Sequence, residues 1–297
     1  MSITSFESYI KLEKKYSLHT VNAYKKDIES FTSFCKAEFN LDVIDSVEYG
    51  VIRNWIIALV SSAVSNRTVN RKIASLKAYY KFLLKIGEID KNPLAKHKAL
   101  KTSKKVEVPF SEKEMMDVLN QIVFKDDFEG VRDKLVIDLL YTTGIRRAEL
   151  IQLKLSDVDL PEKTIKVLGK RNKERILPLL GATCILFKDY FASRNNLVEI
   201  VDFNFVFLSK SGNKIYETLV YRSINKYFSM VSTKVKKSPH ILRHTFATHM
   251  LNKGADLNSV KELLGHSSLA STQVYTHNSI VELKKVHLSA HPRSKKE

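Results

Sequence analysis

The stretch Ser238-Pro-His-Ile-Leu-Arg-His-Thr-Phe-Ala-Thr-His-Met-Leu sets an imidazole, His240, three residues before a guanidinium, Arg243. Ser238 suits an N-cap and Pro239 the first helical position, so both side chains fall near the first turn of a helix, on one face. A histidine and an arginine at a helix N-terminus make a phosphate-binding arrangement. The same pair also suits a structural ion pair, and its spacing alone does not choose. His244 lies four residues after His240, but the residues between are Ile-Leu-Arg, without the glutamate of a zinc protease and with a cation between the two rings. No metal and no cofactor is expected.

Three further segments could carry chemistry. In Leu263-Leu-Gly-His-Ser-Ser-Leu-Ala-Ser-Thr-Gln-Val-Tyr-Thr-His, Gly265 reads as a helix stop, His266 opens a loop, and Tyr275 follows in a run of small and polar residues. A lone tyrosine there is by itself usually half-buried packing. In Tyr141-Thr-Thr-Gly-Ile-Arg-Arg-Ala-Glu-Leu, Arg146 follows a glycine break at the start of a helix. In Val167-Leu-Gly-Lys-Arg-Asn-Lys-Glu-Arg-Ile-Leu-Pro-Leu, Lys170 sits on the polar turn between two strand-like runs. The Walker phosphate loop, the dinucleotide glycine fingerprint and the G-x-S-x-G elbow do not occur.

These blocks, in this order and together, resemble the tyrosine recombinases of the phage integrase family, and in detail the Xer recombinases that resolve bacterial chromosome dimers. The resemblance spans essentially the whole chain. It implies that Arg146, in its R-x-x-E setting with Glu149 as structural partner, is the first catalytic arginine. Arg147 stands where an apolar or small residue is more usual, and the spacing to Glu149 selects Arg146. Lys170 matches the catalytic lysine, His240 and Arg243 the H-x-x-R pair, His266 the second histidine, and Tyr275 the nucleophile that forms a 3′-phosphotyrosyl link. It also implies partners: double-stranded DNA with an inverted-repeat site, a second copy or a paralogous recombinase, a dimer per site and a tetramer in the synapse, with a septal DNA translocase as a further candidate. The rivals are an integrase of a mobile element and a catalytically silent DNA-binding protein on the same scaffold. Larger integrases carry an extra arm-site domain ahead of the core-binding one. The core-binding pattern with which this chain opens favours the minimal form.

The elements that must position these residues are mostly helical. Ser17 is a plausible N-cap, followed by Val21, Tyr24, Ile28, Phe31 and Phe34 at spacings of three and four. From Asn66, the apolar residues Val69, Ile73, Leu76, Tyr80 and Leu83 fall within about 80° of arc. Asn92-Pro93 ends that pattern, and residues 98–107 read as a basic linker. A second unit opens at Pro109 and Ser111 and includes a helix from Val131 that ends before Gly144. Thr164–Gly169 and Glu174–Leu179 read as an antiparallel hairpin, and Phe205–Ser209 as one more short strand. The expected fold is therefore mostly α with a small antiparallel sheet. The resemblance shapes it as a two-domain C-shaped DNA clamp: a SAM-like helical domain over 1–97 and a catalytic domain over 108–297. Its tail, with Ile280, Leu283, Val286 and Leu288 at helical spacing, is expected to dock on a neighbouring protomer.

Charge supports a polyanionic partner. The 297 residues carry 49 Lys and Arg against 32 Asp and Glu, a formal charge of +17. The surplus is uneven, since residues 51–105 hold 13 basic and 2 acidic side chains. Opposite the apolar stripe, Arg67, Arg71, Lys72, Lys77, Lys81 and Lys85 have no acidic residue among them in sequence, which suits contact with a DNA backbone. The site assignments for DNA binding are Arg67, Arg71, Lys72, Lys77 and Lys81. Cys35 and Cys184 lack metal-type spacing and read as buried thiols of a reducing cytoplasm. No apolar run has membrane-spanning length and the opening residues do not form a signal peptide, so a cytoplasmic protein without membrane contact is expected.

Overall fold

The computed structural model describes residues 2–103, 107–169, 173–234, 236–265 and 277–296, leaving out the side chains of 277–279, 295 and 296. The chain divides into two compact units, Met1–Lys105 and Val106–Glu297.

The first unit contains α1 (Ser2–Ser8), α2 (Leu18–Phe39), α3 (Tyr49–Ser61) and α4 (Asn66–Lys85). Ser17 and Ser65 cap α2 and α4, each hydroxyl accepting the backbone N–H three residues on at 3.3 Å. The stripe expected on α4, from Val69 to Leu83, is buried against Phe31 and Trp55. Within the stretch read as a linker, Leu100 and Lys101 are strapped to α4. Asn70 pairs with the backbone of Leu100 at 2.8 and 2.9 Å, and the Asn66 amide donates to the Lys101 carbonyl at 2.8 Å.

The second unit begins with α5 (Glu112–Met116), whose N-terminus is a capping box of Ser111 and Glu114. Helix α6 (Phe128–Thr143) is buried along almost its whole length, with α8 (Gly181–Asn195) and α10 (Pro239–Asn252) packed against it. In the chain, α6 is followed by α7 (Arg147–Gln152) and a sheet of β1 (Val158–Asp159), β2 (Thr164–Leu168) and β3 (Glu174–Pro178), antiparallel in that order. The register sets Ile165 opposite Leu177 and Val167 opposite Arg175, so the inward positions of the hairpin are three aliphatic residues and one arginine. Phe205–Ser209 does not join this sheet. Phe205 makes an isolated bridge with Lys154, Leu208 another with Lys214, and the third strand is Val158–Asp159.

Two glycines end the helices that matter most. Gly144 stops α6 at φ +61°, and a Cβ there would lie 2.4 Å from the Phe246 ring. Gly265 stops α11 (Leu257–Leu264) at φ +64°. Both adopt the left-handed conformation that glycine takes without steric cost. Helix α9 (Glu217–Phe228) packs against α6, α7 and α10.

The C-terminal helix α12 (His277–Ala290) packs on its own unit. The expected stripe is partly corrected: Leu283 is buried, but Leu288 is 47% exposed, and the stripe is completed by His287, Ala290 and His291. The Nε2 of His287 lies 2.6 Å from the Thr142 carbonyl, and that of His291 lies 3.4 Å from the Tyr141 carbonyl, both at the end of α6. Arg293 reaches buried Asp138 at 3.0 Å, and the Thr183 hydroxyl donates to the other oxygen of that carboxylate at 2.6 Å.

Candidate active site

Arg146 is the N-cap of α7, directly after the turn that Gly144 allows. Its backbone N–H donates to Glu149 Oε2 at 2.9 Å and its Nη1 to Glu149 Oε1 at 2.7 Å. Its Nη2 donates to the Gly265 carbonyl at 2.9 Å, so Arg146 bridges the start of α7 and the end of α11. Arg243 rises from the first turn and a half of α10, where Ser238 accepts the Ile241 N–H at 3.4 Å and Pro239 takes the first position. It donates to the Gly144 carbonyl and to the Leu264 carbonyl, both at 2.5 Å.

A third arginine closes the group. Arg175 on β3 is 4% exposed and donates through Nε to the Leu263 carbonyl at 3.0 Å. Its two terminal nitrogens take both oxygens of Glu149, at 2.9 and 2.7 Å. The last carbonyls of α11, at Leu263, Leu264 and Gly265, are thus each held by a different guanidinium. Cations belong at this pole, because unpaired carbonyls give a helix C-terminus partial negative charge.

The electrostatics follow from the Glu149 carboxylate lying among one buried and two partly buried arginines of the described residues. Burial by itself would raise the pKa of Glu149, but the hydrogen bonds and charge of Arg175, followed by the backbone and side-chain hydrogen bonds of Arg146, hold it at about 2. Burial lowers Arg243 to about 9, and the positive charges of Arg146 and Arg175 push in the same direction. Arg146 keeps 30% of its side chain exposed, so the cluster is accessible from one side. A guanidinium has five N–H donors, and the contacts above, all within the described residues, occupy two on Arg146 and two on Arg243.

The structure brings Arg146 and Arg243 together as the sequence implied. His240 occupies the first turn of α10 with its side chain 75% exposed, its Nε2 3.5 Å from Glu107. Arg147 turns away from the cluster and pairs with Glu217 at 2.5 Å, which leaves Arg146 as the arginine of the R-x-x-E motif that faces Arg243. Lys170, His266 and Tyr275 lie outside the described residues. Beyond the paired residues of β2 and β3, the Gly169 N–H donates to the Lys173 carbonyl at 2.7 Å.

On the first unit, the basic face of α4 needs a correction. It lacks acidic residues on its own helix, but α2 supplies one. Asp27, 2% exposed, accepts from Arg71 at 2.5 and 2.9 Å and from the Ser75 hydroxyl at 2.7 Å, with Lys72 at 3.5 Å. Lys72 also lies over the Trp55 ring, 5.6 Å from its centroid. Arg67, Lys77 and Lys81 are exposed, whereas Lys85 pairs with Glu13 at 3.2 Å.

Residues 113–281 match the phage integrase family, and residues 3–87 match the phage integrase N-terminal SAM-like domain. The chain is a tyrosine recombinase of the phage integrase family. It is similar to the tyrosine recombinase XerC of Oceanobacillus iheyensis, 39% identical with 98% of this chain and 96% of that relative covered. The XerC of Chlorobaculum parvum is 37% identical, with 97% and 93% covered. Among solved structures, the Tn1549 transposon integrase in complex with transposon right end DNA covers 96% of this chain and 98% of its own, at a TM-score of 0.71 and 22% identity. XerH bound to palindromic difH substrate, a post-cleavage complex, gives 0.70 at 20% identity, with 99% and 83% covered. These structures share the fold.

The recombinase therefore breaks and rejoins DNA by Xer-type site-specific recombination, and its mostly helical fold carries the small antiparallel sheet that the residue pattern implied. The arginine that sequence reasoning missed in it is Arg175. Its signal was the strand alternation itself, which puts Arg175 and Leu177 on one face of β3, toward the core.

Proposed function

We propose that this recombinase resolves chromosome dimers at a short inverted-repeat site, with Tyr275 as nucleophile and Arg146, Lys170, His240, Arg243 and His266 around the scissile phosphate. The observation that carries the reading is the placement of Arg146 and Arg243 on adjoining carbonyls at the C-terminal end of α11, with part of the Arg146 side chain left exposed. Two such cations clamp the nonbridging oxygens and stabilise the charge that grows on the pentacoordinate phosphorus. The Tyr275 oxygen bonds to phosphorus, its proton passing to His240. The bond to the 5′ oxygen breaks, and that oxygen leaves as a hydroxyl with a proton from Lys170. His266 donates a further hydrogen bond to the phosphate. The phosphotyrosyl bond conserves the phosphodiester energy, so the 5′-hydroxyl of a second strand reverses the step.

Exposed Arg67, Lys77 and Lys81 serve as phosphate contacts on the first unit, and Arg71 and Lys72 contribute from positions fixed by Asp27. In this reading the enzyme works in the cytoplasm as a dimer on each site and a tetramer across two duplexes, with itself or a paralogue. A septal translocase delivers the sites, the first domain spans 1–97 and the second 108–297, and the tail, which packs on its own unit in the single chain, exchanges onto the next protomer on assembly.

The test is covalent trapping. The protein is incubated with sheared DNA from its source genome in EDTA and denatured, and the DNA still attached is sequenced. Adducts at one inverted-repeat locus near the replication terminus, absent with Tyr275→Phe although binding is retained, support the proposal. Adducts at the ends of a mobile element would favour an integrase instead. Their absence, with a paralogue also supplied, would overturn it.

A further inference from the structure

We propose that Arg175 is a positioning residue for strand cleavage, one that sets Arg146 through Glu149 and fixes the end of α11, from which the chain continues to His266 and Tyr275. The proposal rests on the catalytic reading above.

Arg175 is too deeply buried to meet a duplex, so any part it takes in cleavage passes through its neighbours. Those neighbours form a closed circuit. From Arg175, two bonds run to Glu149, two from Glu149 to Arg146, one from Arg146 to the Gly265 carbonyl, and one from the Leu263 carbonyl back to Arg175. No side chain in the circuit can shift without stretching a bond at both of its ends. Alone, Glu149 could lean on Arg146 in several rotamers. With both oxygens also held by the Arg175 fork, its carboxylate plane is fixed, and with it the direction of the Arg146 guanidinium.

The energetics argue against a plain structural strut. Arg175 faces inward opposite Val167, where an aliphatic side chain would continue the apolar layer of Ile165, Val167 and Leu177. A buried ion pair generally contributes no more stability than well-packed apolar residues of the same volume. Arg175 also adds a third positive charge beside Arg146 and Arg243, a cost that stability alone does not explain. The strand that carries it, β3, begins at Glu174, a few residues after Lys170 in the chain. A single side chain thereby ties together the segments that bear Arg146 and Lys170 and the helix end that precedes His266 and Tyr275.

The test compares Arg175→Lys, which keeps the charge but loses the fork, with Arg175→Met, which keeps the volume. The substrate is a short nicked duplex carrying the inverted repeat recovered by trapping. Melting temperature, DNA affinity and the single-turnover rate of covalent adduct formation are measured, alone and combined with Arg146→Lys. The expected result is DNA affinity within about 2-fold of wild type and adduct formation slowed about 30-fold or more by Arg175→Lys. In the Arg146→Lys background the same change should slow cleavage by less than about 5-fold, since its effect passes largely through Arg146. Should Arg175→Met fail to fold, Arg175→Lys decides the matter by itself. Full multiplication of the two defects, a cleavage loss matched by an equal loss of binding, or a rate within about 3-fold of wild type would each overturn the proposal. A wild-type protein that forms no adduct on any fragment would instead remove the catalytic reading on which it rests.

Discussion

Glu149 is the anion on which two of the three arginines depend, and this governs how the cluster responds to pH. Its folded pKa of about 2 lies below the ordinary carboxylate value of 4.5, so its contribution to stability is complete above about pH 4.5 and is lost as the pH falls toward 2. That contribution is on the order of 3 kcal/mol. Urea unfolding at a series of pH values should show a steep acid limb that Glu149→Gln flattens, and an unchanged limb would contradict the assignment. In the first unit Asp27 holds Arg71 and Lys72, and Asp27→Asn should destabilise it by about 2 kcal/mol through weakened charge-assisted hydrogen bonds. Urea unfolding of that variant near neutral pH measures the loss. Arg146 and Arg243 were legible in sequence because each sits beside a helix-start signal within a distinctive block. Asp27 and Arg175 were harder to see because each occupies a position on a buried face where pattern alone predicts an apolar residue. A charge at such a position signals a partner from another element, and pairings of that range do not show in local spacing.

At the scale of elements, the ends of helices carry the site. Gly144→Ala places a methyl 2.4 Å from a ring carbon of Phe246 at a positive φ, and should cost about 3 kcal/mol in unfolding free energy. Gly265→Ala meets the softer obstacle of the Arg175 side chain at 3.1 Å, and its larger effect should be on cleavage rate. Helix α12 is tied to α6 by two buried histidines that the fold keeps neutral. Burial lowers His287 to about 4 and holds His291 well below 6.5, the hydrogen bonds to the α6 carbonyls opposing only in part. As pH drops below 6.5 the free tail gains protons that the docked tail refuses, so docking weakens progressively down to about pH 4. Hydrogen exchange should show α12 losing protection between about pH 7.5 and pH 5 while the centre of α6 does not. Equal protection at both would refute this. Cap residues such as Ser17, Ser238, Gly144 and Gly265 made these boundaries readable from the sequence. Phe205–Ser209 misled because its β-rich composition serves isolated bridges, and the tail stripe was misdrawn because two histidines hold places that apolar periodicity gives to Leu or Val.

Over the whole molecule, the charge of +17 sets how the protein meets DNA. The logarithm of the binding constant should fall linearly with the logarithm of salt concentration, and each phosphate contact removed should flatten that slope by about 0.9. Lys77→Gln and Lys81→Gln are each expected to do so in a filter-binding titration, without loss of melting temperature. An unchanged slope would take α4 out of the interface. Once DNA is bound, the three guanidinium groups gathered at the end of α11 bear on the cleavage barrier. A lysine or arginine on an open surface must shed ordered water and settle into one rotamer before it can meet a phosphate. Arg146 and Arg243 have already exchanged part of that water for backbone carbonyls, and their rotamers are set by bonds that DNA does not have to form. The solvent and side-chain rearrangement that accompanies charge build-up on phosphorus is correspondingly small, so the arginines' part of the barrier should be insensitive to solvent viscosity and to added neutral osmolyte.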